Sequence, residues 1–379
     1  MPDCLSRAHV VRFHFAGGLM GKFKNSRITL GLFCLPLALL LSGCSPKGAG
    51  TGGAGGVVSL QGAGATFPYP LYQKWMSEYG KLTPNVNVDY QSIGSGGGIK
   101  QIQAQTVDFG ASDAPMTDDE LKGAPGSLVH VPTVLGAVVL TYNVQGASKP
   151  LRFSPDVIAD IFLGKITKWN DARIKADNAD ASLPATNITV VHRAEASGTT
   201  FVFTDYLAKI SPEWKQKVGV NKSPQWPVGQ GGKGNEGVTG QIKNQPDTIG
   251  YVELAYAAQN KLPVGLIKNA SANFIEPTID AVTAAAAGTT AVTPDDLRVS
   301  ITNSSAPGAY PISSYTYILA YKEQKDAAKG KALVDFLWWC IHDGEKYAKA
   351  LQYAPLPDEI VKRAEAKINS ITAGGKPLR

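Results

Sequence analysis

Sulfur is scarce in this 379-residue chain, which has four cysteines and four methionines. Cys4, Cys34 and Cys44 lie near the amino terminus, and only Cys340 belongs to the body of the chain, so no internal disulfide can form there. In the apolar run FLWWCIHD, Cys340 reads as a core residue rather than a reactive thiol. Histidine is also sparse. Beyond residue 43 there are only His130, His192 and His342, with no cysteine pair beside them, which gives a metal centre little to build on. No Gly-Lys-Ser/Thr occurs, excluding a Walker-type phosphate loop, and there is no internal repeat. Charge of one sign is not clustered either. The formal net charge is +6, but Arg7, Arg12, Lys22, Lys24 and Arg27 against Asp3 give residues 1–43 a surplus of four, so the remainder carries only +2. That balance excludes a nucleic-acid partner.

What is present begins with a leader. Lys22, Lys24 and Arg27 form a positive region ahead of LGLFCLPLALLLSG, an apolar run too short for a membrane span. It ends in Leu41-Ser42-Gly43-Cys44, a lipobox, in which the cysteine is acylated and becomes the first residue. Residues 1–19 fit no part of such a signal and Met20 opens a complete one, so Met20 reads as the true start within a signal segment 1–43. Residues 44–56, including SPKGAGTGGAGG, read as a flexible tether with a reach on the order of 20 Å. The expected location is the periplasm or the cell surface, with the protein held to a membrane by a lipid on Cys44.

The rest of the chain has the 44% apolar composition of a folded protein and alternates strand-like with helix-like segments, as α/β proteins do. VVSLQ (57–61) leads into a Gly-Ala-Gly-Ala-Thr turn, and a helix follows Pro68. VNVDYQSI (86–93) leads into Gly94-Ser95-Gly96-Gly97-Gly98 and a second helix, while VDFGAS (107–112) ends at Asp113. NITVV precedes HRAEASGTT (192–200), and the helix FVFTDYLAKI follows. The apolar run 128–144 could pass from one domain to another. YPISSYTYILAYK reads as a returning strand, followed by two helices, KGKALVDFLWWCIHD and GEKYAKALQYA. The biased stretch 281–293 reads as surface helix and loop.

Thr66, Ser95 and Ser197-Gly198-Thr199 thus share one design, a hydroxyl with glycine close by at a strand-to-helix turn. Helix amino termini present unpaired N–H groups and attract anions, and in open α/β sheets ligands gather at strand carboxyl ends. Arg193, at the end of its strand, adds a planar cationic fork, so the set suits a tetrahedral oxyanion bound without metal or water. Asp113 would repel a bare anion but accept a hydrogen bond from a protonated one, which favours phosphate over sulfate. Other motifs read as structural. GQGGKG (229–234) has dinucleotide-binder spacing without a βαβ setting and reads as a loop. His192 and Arg193 point to opposite faces of one strand, which removes His192 as a base beside the arginine. Phe201, Phe203 and Tyr206 are helix-spaced core residues, and Lys165, Lys168 and Trp169 a surface feature.

The motifs GAGATFPYPLYQKW, IGSGGGIKQI, VDFGASDAPMTDDEL, IFLGKITKWND, GGKGNEGV, IGYVE and the terminal GKPL resemble those of the periplasmic phosphate-binding proteins of bacterial high-affinity phosphate ABC importers, from about residue 59 to the end. The resemblance implies an α/β, two-lobe type II periplasmic-binding-protein fold with a hinge and an interlobe ligand cleft. Lobe one would comprise 57–138 and 308–379, and lobe two 139–307. It implies phosphate ligation by Thr66, Phe67 (through its backbone), Ser95, Asp113, Arg193, Ser197, Gly198 and Thr199, with no cofactor, metal or catalytic residue. Two departures are Glu195, where the family often has Asp, and the Ser-Gly-Gly-Gly loop at 95–98. The expected partners are inorganic phosphate, the importer's permease and ATPase complex, and a membrane reached through the lipid; the expected state is a monomer. The alternatives are a receptor for sulfate, molybdate or tungstate, and a phosphatase using Ser95 or Ser197, which would lack a base or metal.

Because lipobox and tether separate anchoring from folding, Cys44→Ala is expected to give a soluble protein with unchanged ligand affinity. Persistence of the variant in membranes after a high-salt wash would remove the lipoprotein reading.

Overall fold

The computed structural model describes residues 56–379; the leader, Met20, Cys44 and all but the last residue of the tether lie outside the described residues. The main sheet contains β1 (Val58–Gly64), β2 (Val86–Ser92), β3 (Phe109–Ser112), β4 (Leu128–Asn143), β5 (Thr189–Arg193), β6 (Gln230–Gly232), β7 (Thr248–Glu253) and β8 (Ser313–Tyr321). Their order is β2-β1-β3-β8-β4-β7-β5-β6. β1 runs parallel to β2 and β3, and β5 parallel to β6 and β7. β8 is antiparallel to β3 and β4, and β4 is antiparallel to β7.

Burial along the strands follows their place in this order. β2, at an edge, alternates, burying Val88 and Tyr90 while Asn87, Asp89 and Gln91 face solvent. β4, in the middle, is buried almost end to end. Leu128–Ala137 pair with β8 and Val138–Asn143 with β7, so the strand changes partner between Ala137 and Val138. Pro132 has no N–H to give the ladder, and the β4–β8 register slips opposite it, between Thr316 and Tyr317, leaving Thr133 unpaired.

The helices used below are α1 (Tyr69–Leu82), α2 (Ser95–Gln103), α3 (Gly198–Ile210), α4 (Gly234–Asn244), α5 (Ala327–Cys340) and α6 (Asp358–Asn369). α1 buries Leu71, Tyr72, Trp75 and Tyr79, one face of a 3.6-residue period, and its ring cluster continues into Phe336 and Trp339 of α5. Cys340 is fully buried at the end of α5. Ile360, Ala364 and Ile368 of α6 are buried at spacings of four. The parallel strands bring two sets of carboxyl ends together: Gly96 after β2 donates its N–H to the Ala196 carbonyl after β5 at 3.0 Å. Among the described residues no helix is long and apolar enough to cross a membrane.

Three expectations are corrected. GQGGKG is the edge strand β6 running into α4, not a loop; its glycines carry no strand signal, and pairing with β5 supplies the order. Residues 343–351 form two 3₁₀ segments, Asp343–Tyr347 and Lys349–Leu351. The Gly344 carbonyl, which an α-helix would offer to Ala348, instead accepts from the Trp75 indole at 2.8 Å. Trp169 is fully buried beside Tyr142, while Lys165 stays at the surface, paired with Glu213 and Asp160.

Gly98 sets how closely α2 rests on the sheet. A Cβ there would lie 2.6 Å from Gly64 Cα, 2.7 Å from the Ala63 carbonyl oxygen and 2.8 Å from that of Ala111, all backbone atoms of β1 and β3. Gly98→Ala is expected to lower unfolding free energy by about 1–3 kcal/mol through overpacking. Urea denaturation measures this; a loss below about 0.5 kcal/mol would mean that α2 can lift without cost.

Candidate functional site

All eight residues singled out from the sequence lie together and are buried, with Thr66, Phe67, Ser95, Asp113, Arg193, Ser197 and Thr199 each at most 3% exposed. They sit just past strand carboxyl ends: Thr66 and Phe67 after β1, Ser95 after β2, Asp113 after β3, and Arg193 with Ser197-Gly198-Thr199 at and beyond the end of β5. Ser95 is the first residue of α2. Ser197 caps α3, its hydroxyl accepting the Thr200 N–H at 3.1 Å. Gly198 is where the two strand groups touch. A Cβ on it would fall 2.3 Å from Ser95 Oγ and 2.5 Å from Asp113 Oδ2, so no larger residue fits between them.

The backbone supplies donors. The N–H groups of Phe67, Ser95, Gly198 and Thr199 have no hydrogen-bond partner among the described residues. The carbonyls of Thr66 and Phe67 are bonded to the hydroxyls of Tyr256 at 2.6 Å and Tyr353 at 2.7 Å, which fixes the peptide carrying the Phe67 N–H.

Arg193 supplies the charge. Its Nε donates to Glu195 Oε1 at 3.0 Å, Nη2 donates to the same oxygen, and Nη1 donates to Thr199 Oγ1 at 3.2 Å. Three of its five N–H groups are thereby used and two remain. Its backbone N–H is held by the Tyr251 hydroxyl at 3.2 Å. His192 turns the other way and stacks on Trp226 at 4.7 Å, its burial lowering the imidazole pKa.

Asp113 is the acceptor among these donors. Its Oδ1 accepts from Thr316 Oγ1 at 2.8 Å, and its N–H is bonded to Ser95 Oγ at 3.2 Å. Burial pushes its pKa up to about 7, against the opposing pull of the Thr316 hydroxyl, Arg193 and Ser95.

Several members of the cluster escape a reading by motif. Thr316 comes from the middle of β8, more than 200 positions along the chain, where it pairs with Val134 next to the Thr133 bulge. Asn235, the second residue of α4, donates from Nδ2 to Thr66 Oγ1 at 2.7 Å and to Thr199 Oγ1 at 3.3 Å. Its Oδ1 accepts the Glu253 N–H at 2.9 Å. Glu253 is fully buried, accepts from the Ala255 N–H at 2.8 Å and contacts the Tyr353 hydroxyl at 3.0 Å; burial carries its pKa well above the usual carboxylate range. The only sequence signal for Asn235 and Glu253 was their presence in GGKGNEGV and IGYVE. Among the described residues no group of His, Cys, Asp and Glu is placed to hold a metal ion. What the cluster can hold is a small oxyanion, gripped by backbone N–H groups, hydroxyls and a guanidinium.

A mixed α/β sheet with an anion-suited cluster where two groups of strand ends meet is the arrangement of a periplasmic-type binding protein. The family model described as a PBP superfamily domain matches residues 49–339. The phosphate-binding protein PstS of Xylella fastidiosa strain Temecula1 is 43% identical over 372 residues, covering 94% of this chain and 98% of the relative. PstS of Pasteurella multocida is 44% identical over 323 residues, covering 84% and 93%. Among solved structures, a high-affinity periplasmic phosphate-binding protein (PfluDING) bound with phosphate aligns with TM-score 0.63 at 22% identity, covering 82% of this chain and 93% of the other. A phosphate-binding protein from Stenotrophomonas maltophilia aligns with TM-score 0.63 at 21% identity over the same shares. The chain belongs to the PBP superfamily and, within it, to the family of the phosphate-binding protein PstS, with the type II fold.

An elevated Asp113 pKa has a thermodynamic signature. The unfolded chain releases this proton near pH 4 while the ligand-free fold retains it until about pH 7. Between those values the native state holds more protons, so its stability falls as pH rises, by at most about 1.4 kcal/mol per pH unit. The stability difference between the parent and Asp113→Asn is therefore expected to shift against the parent from pH 4.5 to 7 and to level off above. Chemical denaturation at several pH values measures it; a flat difference would mean that Asp113 is ionised in the empty fold.

Proposed function

We propose that this chain is a phosphate receptor, binding inorganic phosphate in the cleft and delivering it to an ABC-type importer in the cytoplasmic membrane. The observation that carries the reading is the polarity of the cluster: four unbonded N–H groups and two spare guanidinium N–H groups lie among the eight residues, of which Asp113 alone is a carboxylate. Burying a bare dianion would cost tens of kcal/mol, so many charge-assisted bonds of about 1.5–3 kcal/mol each must replace its hydration. A carboxylate among such donors serves a ligand that brings its own proton, as hydrogen phosphate does and sulfate does not. The relatives' name, phosphate-binding protein PstS, supports the same ligand.

In this reading Thr66, the Phe67 N–H, Ser95, Arg193, Ser197, Gly198 and Thr199 donate and Asp113 accepts. The lobes are 57–138 with 308–379, and 139–307; the change of partner of β4 between Ala137 and Val138 supports a boundary there. Phosphate contacts groups from both and favours the closed form that docks on the permease. The receptor is a monomer without cofactor or catalysis, tethered by the lipid on Cys44 at the periplasmic or cell-surface side. Neither Ser95 nor Ser197 has a histidine among its hydrogen-bond partners, so a phosphatase would lack the serine–histidine pair that usually activates such a nucleophile.

Calorimetric titration of the leaderless, ligand-stripped protein at pH 8, where Asp113 is ionised, tests the proposal. Phosphate is expected to bind and sulfate to give no heat, while Asp113→Asn should admit sulfate as a measurable competitor. Parent protein that binds sulfate as tightly as phosphate would require another ligand.

A further inference from the structure

We propose that Asn235 is a positioning residue that fixes the Thr66 and Thr199 hydroxyls as donors to the ligand. The inference rests on the phosphate reading above. Its starting point is the orientation of the Asn235 amide, which the surroundings settle. The Glu253 backbone N–H, 2.9 Å away, can only donate, so the atom facing it is the carbonyl oxygen. The NH₂ group therefore faces Thr66 and Thr199, and each of its two protons has one hydroxyl oxygen to meet, at 2.7 and 3.3 Å.

The lone pairs of these hydroxyls can then be counted. Thr66 Oγ1 accepts from Asn235 Nδ2 and, at 3.3 Å, from the Asn235 backbone N–H. Thr199 Oγ1 accepts from Asn235 Nδ2 and, at 3.2 Å, from Arg193 Nη1. A hydroxyl has two lone pairs and one proton, so both oxygens are saturated as acceptors and have only the O–H left to give. The unprotonated oxygens of an oxyanion, which accept only, are what such hydroxyls can bond. Asn235 is fully buried, so water does not compete for these contacts. It also joins residues from the two groups of strands, Thr66 following β1 and Thr199 following β5.

The isosteric change Asn235→Asp reverses the polarity. An aspartate accepts from both hydroxyls, drawing their protons away from the ligand, and adds a negative charge. A role in packing alone would tolerate a change that keeps shape and volume. Asn235→Ala removes the fixing donors, freeing both hydroxyls to rotate.

The test is a double-mutant cycle on phosphate affinity, by calorimetry at pH 8, with the parent, Thr66→Val, Asn235→Ala and the double variant, and Asn235→Asp alongside. Each threonine–phosphate bond is worth about tenfold or more in affinity by the usual strength of charge-assisted bonds. Thr66→Val should cost at least tenfold in the parent and less than about threefold once Asn235 is alanine. Asn235→Asp should weaken phosphate about a hundredfold or more while circular dichroism shows an intact fold. Should Asn235→Ala not fold, Asn235→Asp takes its place in the cycle with the same expected coupling. If Thr66→Val costs the same factor in both backgrounds, or Asn235→Asp binds as the parent does, the inference is overturned. Parent protein that binds no phosphate would instead remove the functional reading beneath it.

Discussion

One buried guanidinium governs the arrangement. Arg193 is 3% exposed, and a cation so placed must be paired or it costs more than the fold can spare. Glu195 provides the pairing and also ties down the next element, since its carboxylate accepts the Gly234 N–H at 3.1 Å. That contact fixes the start of α4, which places Asn235, which in turn reaches Thr66 and Thr199. Glu195 thus holds the arginine through two nitrogens and leaves the third free to reach Thr199. The geometry of the ligand site is a consequence of how one charge was made tolerable.

A second chain of causes runs through β4. Pro132 cannot donate, the strand bulges at the next residue, Thr133, and Thr316 pairs with Val134 just beyond the bulge, its hydroxyl on Asp113. Thr133, the unpaired residue of the bulge, is bonded to the Tyr72 hydroxyl at 2.8 Å and touches the Thr316 carbonyl at 3.3 Å. A proline inside a central strand, ordinarily a fault, here sits next to the residue that holds the site's one acceptor.

The division between what could and could not be read in sequence follows from these causes. Turns that carry Thr66, Ser95 and Ser197 announce themselves locally, because strand pattern, glycine and hydroxyl occur within a few residues. The eight residues brought together in the cluster all belong to such turns or their flanks. Thr316 and Asn235 act through tertiary contact alone. The first sits in an ordinary strand, and the second follows a glycine-rich strand of three residues that no propensity would reveal. The helix expected at 344–354 failed for a related reason, a carbonyl taken by a tryptophan nearly 270 residues away. Trp169 went astray because the lysines near it face solvent and its ring does not.

Two buried carboxylates in this small volume are set by their neighbours rather than by residue type. Glu253 is buried among tyrosines and backbone, where burial favours its neutral form; the burial of Asp113 is opposed by Thr316, Arg193 and Ser95, which holds its pKa at about 7. The second case matters for selectivity. In the proposed phosphate site one proton must lie between Asp113 Oδ2 and the ligand oxygen facing it, since two acceptors cannot face each other. Hydrogen phosphate brings that proton, so it can be held by an ionised Asp113. Sulfate brings none, so the protein must supply it, and above a pKa of about 7 that means protonating a carboxylate against its own preference, at about 1.4 kcal/mol for each further pH unit. On this proposal, discrimination by a single aspartate is not a fixed property of the fold. It is strongest in alkaline solution and fades as the empty site acquires its own proton, because the same burial that lets the site strip an anion of water also raises the pKa of the group that inspects it.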